Sequence, residues 1–307
     1  IKAEKQGRIP EANRKKTGAV KTRVWSSEHI PLIGQEYGFL RKPETPVCAT
    51  VFVTKGGVLK TTLTLNLARL AALHNIKTCI VGLDMQSDIT RAFDIGVADD
   101  EAFESLEEVD QSVEVFPGLY DVYKQGVSLE DCMQDTDIPT LSILPESSEL
   151  VSLETALQGE TRREYWLQDN VIQPLKKKFD LILLDSPPNW NLLVSNALVG
   201  TNIVISPLEC KINHYRNIND FLDFIATFKK KLHVDFKHVF VPTKVSLNRK
   251  ISSEIRHFYI SNIPNCITNA IRESTAGEEA TANSLSLLEY AAGKIQGDEL
   301  KAVVTEV

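Results

Sequence analysis

The sequence has no run of eighteen or more apolar residues in its 307 positions, so no segment is fit to cross a bilayer as a helix. Paired cysteines are missing as well. The five, at 48, 79, 132, 210 and 266, have neither metal-ligand nor framework spacing, which excludes a disulfide scaffold and suits a reducing, cytoplasmic compartment. Cys48 and Cys79 lie in apolar runs and are expected to be buried as small apolar residues. The six histidines are equally dispersed, so neither a metal centre nor a Cys–His nucleophile is indicated. An excess of positive charge is also lacking. Thirty-four Lys and Arg against 41 Asp and Glu leave a net charge of −7, which excludes a uniformly basic nucleic-acid binder and leaves only local patches to consider. No internal repeat is evident.

Against these absences stands one informative segment, Lys55-Gly56-Gly57-Val58-Leu59-Lys60-Thr61-Thr62. It follows the apolar run 47–53, which reads as a buried strand, and leads into a breaker-free helical stretch over 61–74. Strand, glycine-bearing loop, Lys-Thr and helix together form the context of a phosphate-binding loop. The start of the helix leaves backbone N–H groups unpaired and carries partial positive charge, both of which favour phosphate. Lys60 would reach the terminal phosphates and the Thr61 hydroxyl would help to hold Mg²⁺. The usual spacing puts glycine immediately before that lysine, where this chain has Leu59. If the position requires φ > 0, leucine there costs about 1–3 kcal/mol, or about ten- to a hundredfold in affinity. The side chain either crowds the β-phosphate or turns into the protein.

Candidate strands at 47–53, 77–83, 140–144, 180–185, 201–205, 237–243 and 266–271 alternate with helical patterns such as 61–74, 160–178 and 215–231. The alternation predicts an α/β fold, a doubly wound parallel sheet with helices on both faces. The acidic stretch from Asp99 to Asp110 reads as a surface connection or helix.

The doubled lysine, Lys55 before Gly-Gly-Val and Lys60 after it, resembles the deviant Walker A motif of ParA- and MinD-type ATPases. The resemblance covers about residues 47–292. Segment 78–90 resembles the family's second strand and switch. Asp84 and Gln86 match its pattern, while Gly82 stands where the family has a first aspartate and Met85 where it has proline. Segment 179–188 resembles the Walker B strand with its Pro-Pro turn, delivering Asp185 at the strand's C-terminal edge, where ligands of open α/β sheets gather. Asn196-Ala197-Leu198, segment 205–210 and segment 271–290 continue the match. The resemblance implies ATP hydrolysis, which Leu59 in the loop is expected to make slow, with Lys55 crossing a homodimer interface to the other subunit's nucleotide and Asp84 supporting attack by water. ATP would be held by residues 55–62, namely Lys55, Gly56, Gly57, Val58, Leu59, Lys60, Thr61 and Thr62. Mg²⁺ would be held by Thr61, Asp84 and Asp185, with water filling the remaining positions. It also implies two partners, DNA bound without sequence preference and a ParB-like centromere-binding protein.

Residues 1–42 differ in kind. The sequence starts without an initiator methionine in a basic stretch that reads as the interior of a helix, so a preceding segment is expected. Ala3 to Pro10 resembles the end of a MerR-like recognition helix, Thr17 to Trp25 its β-wing, and Ser26 to Ile30 a capped helix start. The expected organisation is a partial winged helix-turn-helix module at 1–42, a linker at 43–46 punctuated by two prolines, and a P-loop ATPase domain at 47–307. Arg14, Lys15, Lys16, Lys21 and Arg23 would line a DNA face and contact phosphates. In the C-terminal half Arg249, Lys250 and Arg256 are the favoured DNA contacts among several basic positions.

Three readings compete. The first is a nucleoid-associated DNA-partitioning ATPase. The second is a DNA-binding regulator whose loop no longer turns ATP over. The third, a MinD-like membrane ATPase, needs an amphipathic C-terminal helix with a basic polar face, and the acidic end of this chain disfavours it.

Overall fold

The computed structural model describes residues 2–17, 20–93, 95, 116–283, 285–290 and 294–307. The predicted acidic connection at 99–110 lies outside these residues. The main sheet has the order β5-β6-β4-β7-β3-β8-β9. Its strands are β3 (Val47–Val51), β4 (Thr78–Gly82), β5 (Gln134–Asp135), β6 (Leu141–Leu144), β7 (Leu181–Asp185), β8 (Ile203–Glu209) and β9 (Lys237–Thr243). Every pairing is parallel except that of the short edge strand β5 with β6. This is the predicted α/β sheet, with the loop-bearing strand β3 held centrally between β7 and β8.

Alternate residues of each strand enter opposite layers, as the period of two requires. Ala49, Val51, Ile80 and Leu183 pack with helix Lys60–Leu73 and the C-terminal helix Ile295–Glu306. Cys48, Cys79, Ile182 and Leu184 face the other layer, with Leu150, Leu153 and Leu157 from helix Leu150–Leu157. Phe52, Val204 and Phe240 continue that layer toward helices Ile212–Leu232 and Lys250–Asn262. Both cysteines are wholly buried, as expected, and all five are unpaired. Arg69 is a buried clamp. Its guanidinium makes paired bonds to Asp137 (both 2.8 Å) and to Glu289 (2.8 and 2.9 Å), tying the loop helix to two distant segments.

Two sequence expectations need correction. Residues 266–271 are not a strand. They touch β9 in one isolated bridge, Phe240 with Cys266, and a second, Val245 with Arg272, lies just beyond both segments. Phe240 N–H donates to the Asn265 carbonyl, but the next residue on that edge, Pro242, has no N–H, and Asn265 is left-handed at φ 59°. The ladder therefore cannot extend. The predicted helix at 160–178 starts at Arg163 and is irregular along its length, running without a break from a 3₁₀ turn at Arg163–Tyr165 through 166–167 into a π turn at Gln168–Ile172 and an α turn at Gln173–Leu175. Arg162, left-handed at φ 60°, sets the start, and Pro174 removes one helical donor within the run.

The N-terminal residues form an antiparallel hairpin, β1 (Asn13–Thr17) with β2 (Val20–Val24), followed by a 3₁₀ turn at Ser27–His29 and helix Ile30–Tyr37. That helix docks on the far end of the loop helix. A Cβ on Gly34 would overlap the Leu73 carbonyl, Asn75 donates to Gln35 (2.6 Å), and Phe39 meets His74 edge-on at 4.6 Å. Gly34→Val should undock the segment and lower stability by about 1–3 kcal/mol, the usual cost of forcing atoms into a filled site. A thermal midpoint unchanged in that variant would contradict the close approach.

Candidate functional site

The end of β3 and the start of helix Lys60–Leu73 enclose an open depression of about 360 Å³. It is lined by Gly56, Gly57, Val58, Leu59, Lys60, Thr61, Thr62, Asp84, Gln86, Asp88, Pro188 and Lys244. The geometry thus brings the predicted loop and Asp84 to one place. Gly57 (φ 69°) and Leu59 (φ 72°, ψ 33°) are both left-handed, so the loop keeps a conformation suited to glycine although leucine occupies the second position. The Leu59 carbonyl accepts the first helical bond from Leu63 N–H at 2.9 Å. Leu59 also lines a small adjoining cavity with Ile271, Leu287 and Leu300.

Lys60 is buried, and its Nζ donates across the loop to the Lys55 carbonyl at 3.0 Å. Burial pulls its pKa down, and the nearby Asp185 and Asp84 carboxylates oppose that pull. Asp185 ends β7 beneath the loop. It accepts from Thr61 Oγ1 at 2.9 Å and from Thr64 Oγ1 at 2.7 Å. Burial raises its carboxyl to about 6, although both hydroxyls and Lys60 work against the rise. Asp84 closes the opposite side, its carboxylate taking the Gln86 N–H at 3.1 Å. A buried carboxylate, a hydroxyl and a buried ammonium at a helix N-terminus form a donor set that fits a phosphate group with a hard divalent cation such as Mg²⁺. Elsewhere, among the described residues, no His, Cys, Asp and Glu side chains cluster as a metal site.

Lys55 points elsewhere. Its Nζ pairs with Glu209 at the end of β8 (2.7 Å), and Glu209 also pairs with Lys211 (3.0 Å), which reaches Glu273 (3.1 Å). Burial would raise the Glu209 carboxyl, but the two lysines outweigh it and hold the pKa below the usual carboxylate value.

Sequence reasoning missed Thr64, Glu209 and Glu146. Thr64 lies one turn after Lys60 on the same helix face, a spacing that could have revealed it. Glu146 follows β6 at the same C-terminal sheet edge. Burial lifts its carboxyl to about 8 against the bonds from Thr90.

The predicted DNA residues fall in two groups. Arg14 pairs with Arg23 and Lys16 with Lys21 across the hairpin, so these four share a face and Lys15 lies on the other. Arg23 is drawn to Glu4 and stacks on Trp25 at 4.9 Å. Arg249 and Lys250 are exposed at the start of helix Lys250–Asn262, with Lys250 near Glu254 at 3.5 Å. Arg256 is half-buried and donates to the Thr268 carbonyl (2.6 Å), so much of its guanidinium serves the fold.

Residues 48–238 match the family described as an AAA domain. The chain belongs to that family. Among its relatives are the chromosome partitioning protein ParA of Myxococcus xanthus, 24% identical over 67% of this chain and 69% of that protein, and the chromosome-partitioning ATPase Soj of Treponema pallidum, 25% identical over 78% and 88%. Two solved structures share the fold. Cyanothece McdA in complex with ATP has a TM-score of 0.71 and 17% identity over 86% of this chain and 96% of that one. A putative plasmid partition protein of Borrelia burgdorferi bound to AMPPNP has a TM-score of 0.65 and 20% identity over 86% and 98%. Among the described residues, no helix is long and apolar enough to cross a membrane.

The site makes one prediction about stability. His214 Nδ1 accepts the Glu209 N–H at 2.9 Å and so must be unprotonated, and burial, with the Lys55 charge, lowers its pKa to about 4. An unfolded histidine titrates near 6.5, so the folded chain binds fewer protons between these values. Stability from this group is complete above about pH 6.5 and falls by on the order of 3 kcal/mol as pH drops to 4. Urea unfolding across that range should show the fall, and His214→Asn, which keeps an acceptor without the titration, should reduce it.

Proposed function

We propose that the chain is a ParA-type ATPase of DNA partitioning, an ATP-switched homodimer that binds DNA without sequence preference and answers to a ParB-like partner. The observation that supports this reading best is the loop site, in which left-handed Gly57 and Leu59, buried Lys60 and the Thr61–Asp185 bond frame an open depression with room for a chain of phosphates. Partitioning proteins among its relatives support the biological role. ATP would lie along residues 55–62, with Thr61 and Asp185 turned to Mg²⁺ and Asp84 holding the attacking water. Bound Mg²⁺ would supply charge neutralisation on the phosphate oxygens. Lys55 would exchange Glu209 for the nucleotide of the second subunit on dimer closure.

The hairpin and its flanking helices serve as a winged-helix DNA contact at residues 1–42, joined by the linker at 43–46 to the ATPase domain at 47–307. Arg14, Lys16 and Lys21 present their charge together, with Arg23 anchored beside them and Lys15 on the reverse face. Arg249 and Lys250 form a second phosphate-contacting patch. The working location is the nucleoid within the cytoplasm. Helix Ile295–Glu306 turns Leu300, Val303 and Val304 into the core, so those side chains are not offered to a bilayer.

A regulator that binds DNA through the same hairpin without turning ATP over is the second reading, and leucine at a left-handed loop position is what favours it.

Calorimetric titration of Mg-ATP separates the two. The parent should bind at micromolar concentration and Lys60→Ala should lose binding, while Leu59→Gly, whose loop backbone is already in the left-handed geometry, should bind within a fewfold of the parent. No binding by the parent together with binding by Leu59→Gly would transfer the case to the regulator. For DNA, the double variant Lys16→Glu and Lys21→Glu should weaken binding and reduce the slope of log affinity against log salt by about 2, near 0.9 per lost phosphate contact. An unchanged slope would place the DNA face on another surface.

A further inference from the structure

Gly82 ends β4 in register with Asp185 of β7, and Leu83 N–H donates to the Asp185 carbonyl at 2.9 Å. A side chain at position 82 would therefore stand beside the carboxylate under the phosphate loop. No room exists for one. A Cβ built on Gly82 would overlap Cγ of Glu146 and lie 2.5 Å from its Cδ. Glu146 arrives from the segment after β6, the neighbour of β4 on the side away from β7. Its side chain thus crosses the end of β4 and fills the volume that residue 82 leaves vacant.

The carboxylate is held by Thr90. Glu146 Oε2 accepts the Thr90 N–H at 2.9 Å and the Thr90 hydroxyl, and that same hydroxyl accepts the Glu146 N–H at 3.0 Å. Thr90 lies in the short helix Asp88–Arg91, whose start is fixed by left-handed Ser87 with its N–H on the Asp84 carbonyl at 3.0 Å. The clasp therefore anchors the turn that carries Asp84. Glu146 is 6% exposed, and its Oε1 has no hydrogen-bond partner. Leaving a buried oxygen unpaired costs about 1–3 kcal/mol, so a residue needed only to fill this space would be better apolar.

We propose that Glu146 takes the place of the family's aspartate at position 82 and is the positioning residue of the Asp84 segment, holding it against Asp185 through Thr90. The carboxylate has moved from one strand end to the next, and Gly82 is the vacancy that admits it. This inference rests on the ATPase reading for its catalytic part, while the exchange of volume stands on packing alone.

The experiment is a cycle of Gly82→Asp, Glu146→Ala and the double variant, with Glu146→Gln as the conservative control. Thermal unfolding without nucleotide reads the packing. Gly82→Asp should lower the midpoint by about 5 °C or more, and adding Glu146→Ala should recover most of that loss, the non-additivity expected of side chains that compete for one space. Steady-state ATP hydrolysis reads the positioning. Glu146→Ala should lower kcat by about tenfold with KM nearly unchanged, the double variant should regain most of it, and Glu146→Gln, which keeps the acceptor for Thr90, should stay close to the parent. A double variant no more stable than Gly82→Asp would overturn the exchange, and an unaltered kcat in Glu146→Ala would overturn the positioning role. A parent that turns over no ATP would overturn the ATPase reading and the positioning role with it, while the unfolding cycle would still decide the exchange.

Discussion

The bond between Asp185 and the two threonines of the loop helix holds the site together. A carboxylate at the end of a central strand, wholly screened from water, is costly unless its oxygens are satisfied. Here Thr61 takes one oxygen and Thr64 the other, at 2.9 and 2.7 Å. The two hydroxyls lie three residues apart, hence on one face of the helix, and that face is thereby turned to the end of β7. The remaining geometry follows. The helix N-terminus is aimed across the C-terminal edge of the sheet, Lys60 is carried into the interior, and the preceding loop must close over both. Burial raises the Asp185 carboxyl to about 6 even with those bonds in place, so the site holds a carboxylate that gains from a further cation.

The other lysine of the loop is bound more loosely. Lys55 keeps about a third of its side-chain surface in water, whereas Glu209 has only 8% exposed. An ion pair with one partner in solvent contributes about 0–1 kcal/mol, and Glu209 would retain Lys211 if Lys55 left. The asymmetry makes Lys55 readily transferable to a more highly charged acceptor, and leaves the buried carboxylate paired when it goes. Lys60, anchored within its own loop and buried, has no such freedom.

What the sequence made legible is what depends on local chemistry. The parallel sheet, the loop before helix Lys60–Leu73 and the carboxylate of Asp185 follow from apolar runs ending in glycine, lysine or aspartate, while Asp84 was legible through the family resemblance of segment 78–90. The edge of the sheet was misread because residues 266–271 have strand composition, while the partner edge carries Pro242, and no local pattern reveals which neighbour a strand will meet. The segment 160–178 has helical periodicity, but left-handed Arg162 delays its start and Pro174 removes a donor within it. Glu146 was invisible for a related reason. Its role depends on the missing side chain of Gly82, sixty-four positions away in the sequence and adjacent only through the β4–β6 pairing.

Leu59 is where local rules and the tertiary structure disagree, and magnitudes decide the outcome. A left-handed leucine costs about 1–2 kcal/mol, enough for the loop to have chosen another path. It has not, since φ 72° and ψ 33° are the values a glycine would take. The compensation lies in the second cavity, where Leu59 meets Ile271, Leu287 and Leu300. Fully burying a leucine yields about 1.5–3 kcal/mol, and Leu59, half-buried, gains a share of that comparable to the strain. The side chain thus acts as a tether between the phosphate loop and the C-terminal segment, which Asn66 reinforces by accepting the Leu287 N–H at 2.6 Å. A glycine would relax the backbone and remove the tether together, so the leucine is a structural part of this loop, and any ligand must fit a loop that is fastened on its C-terminal side.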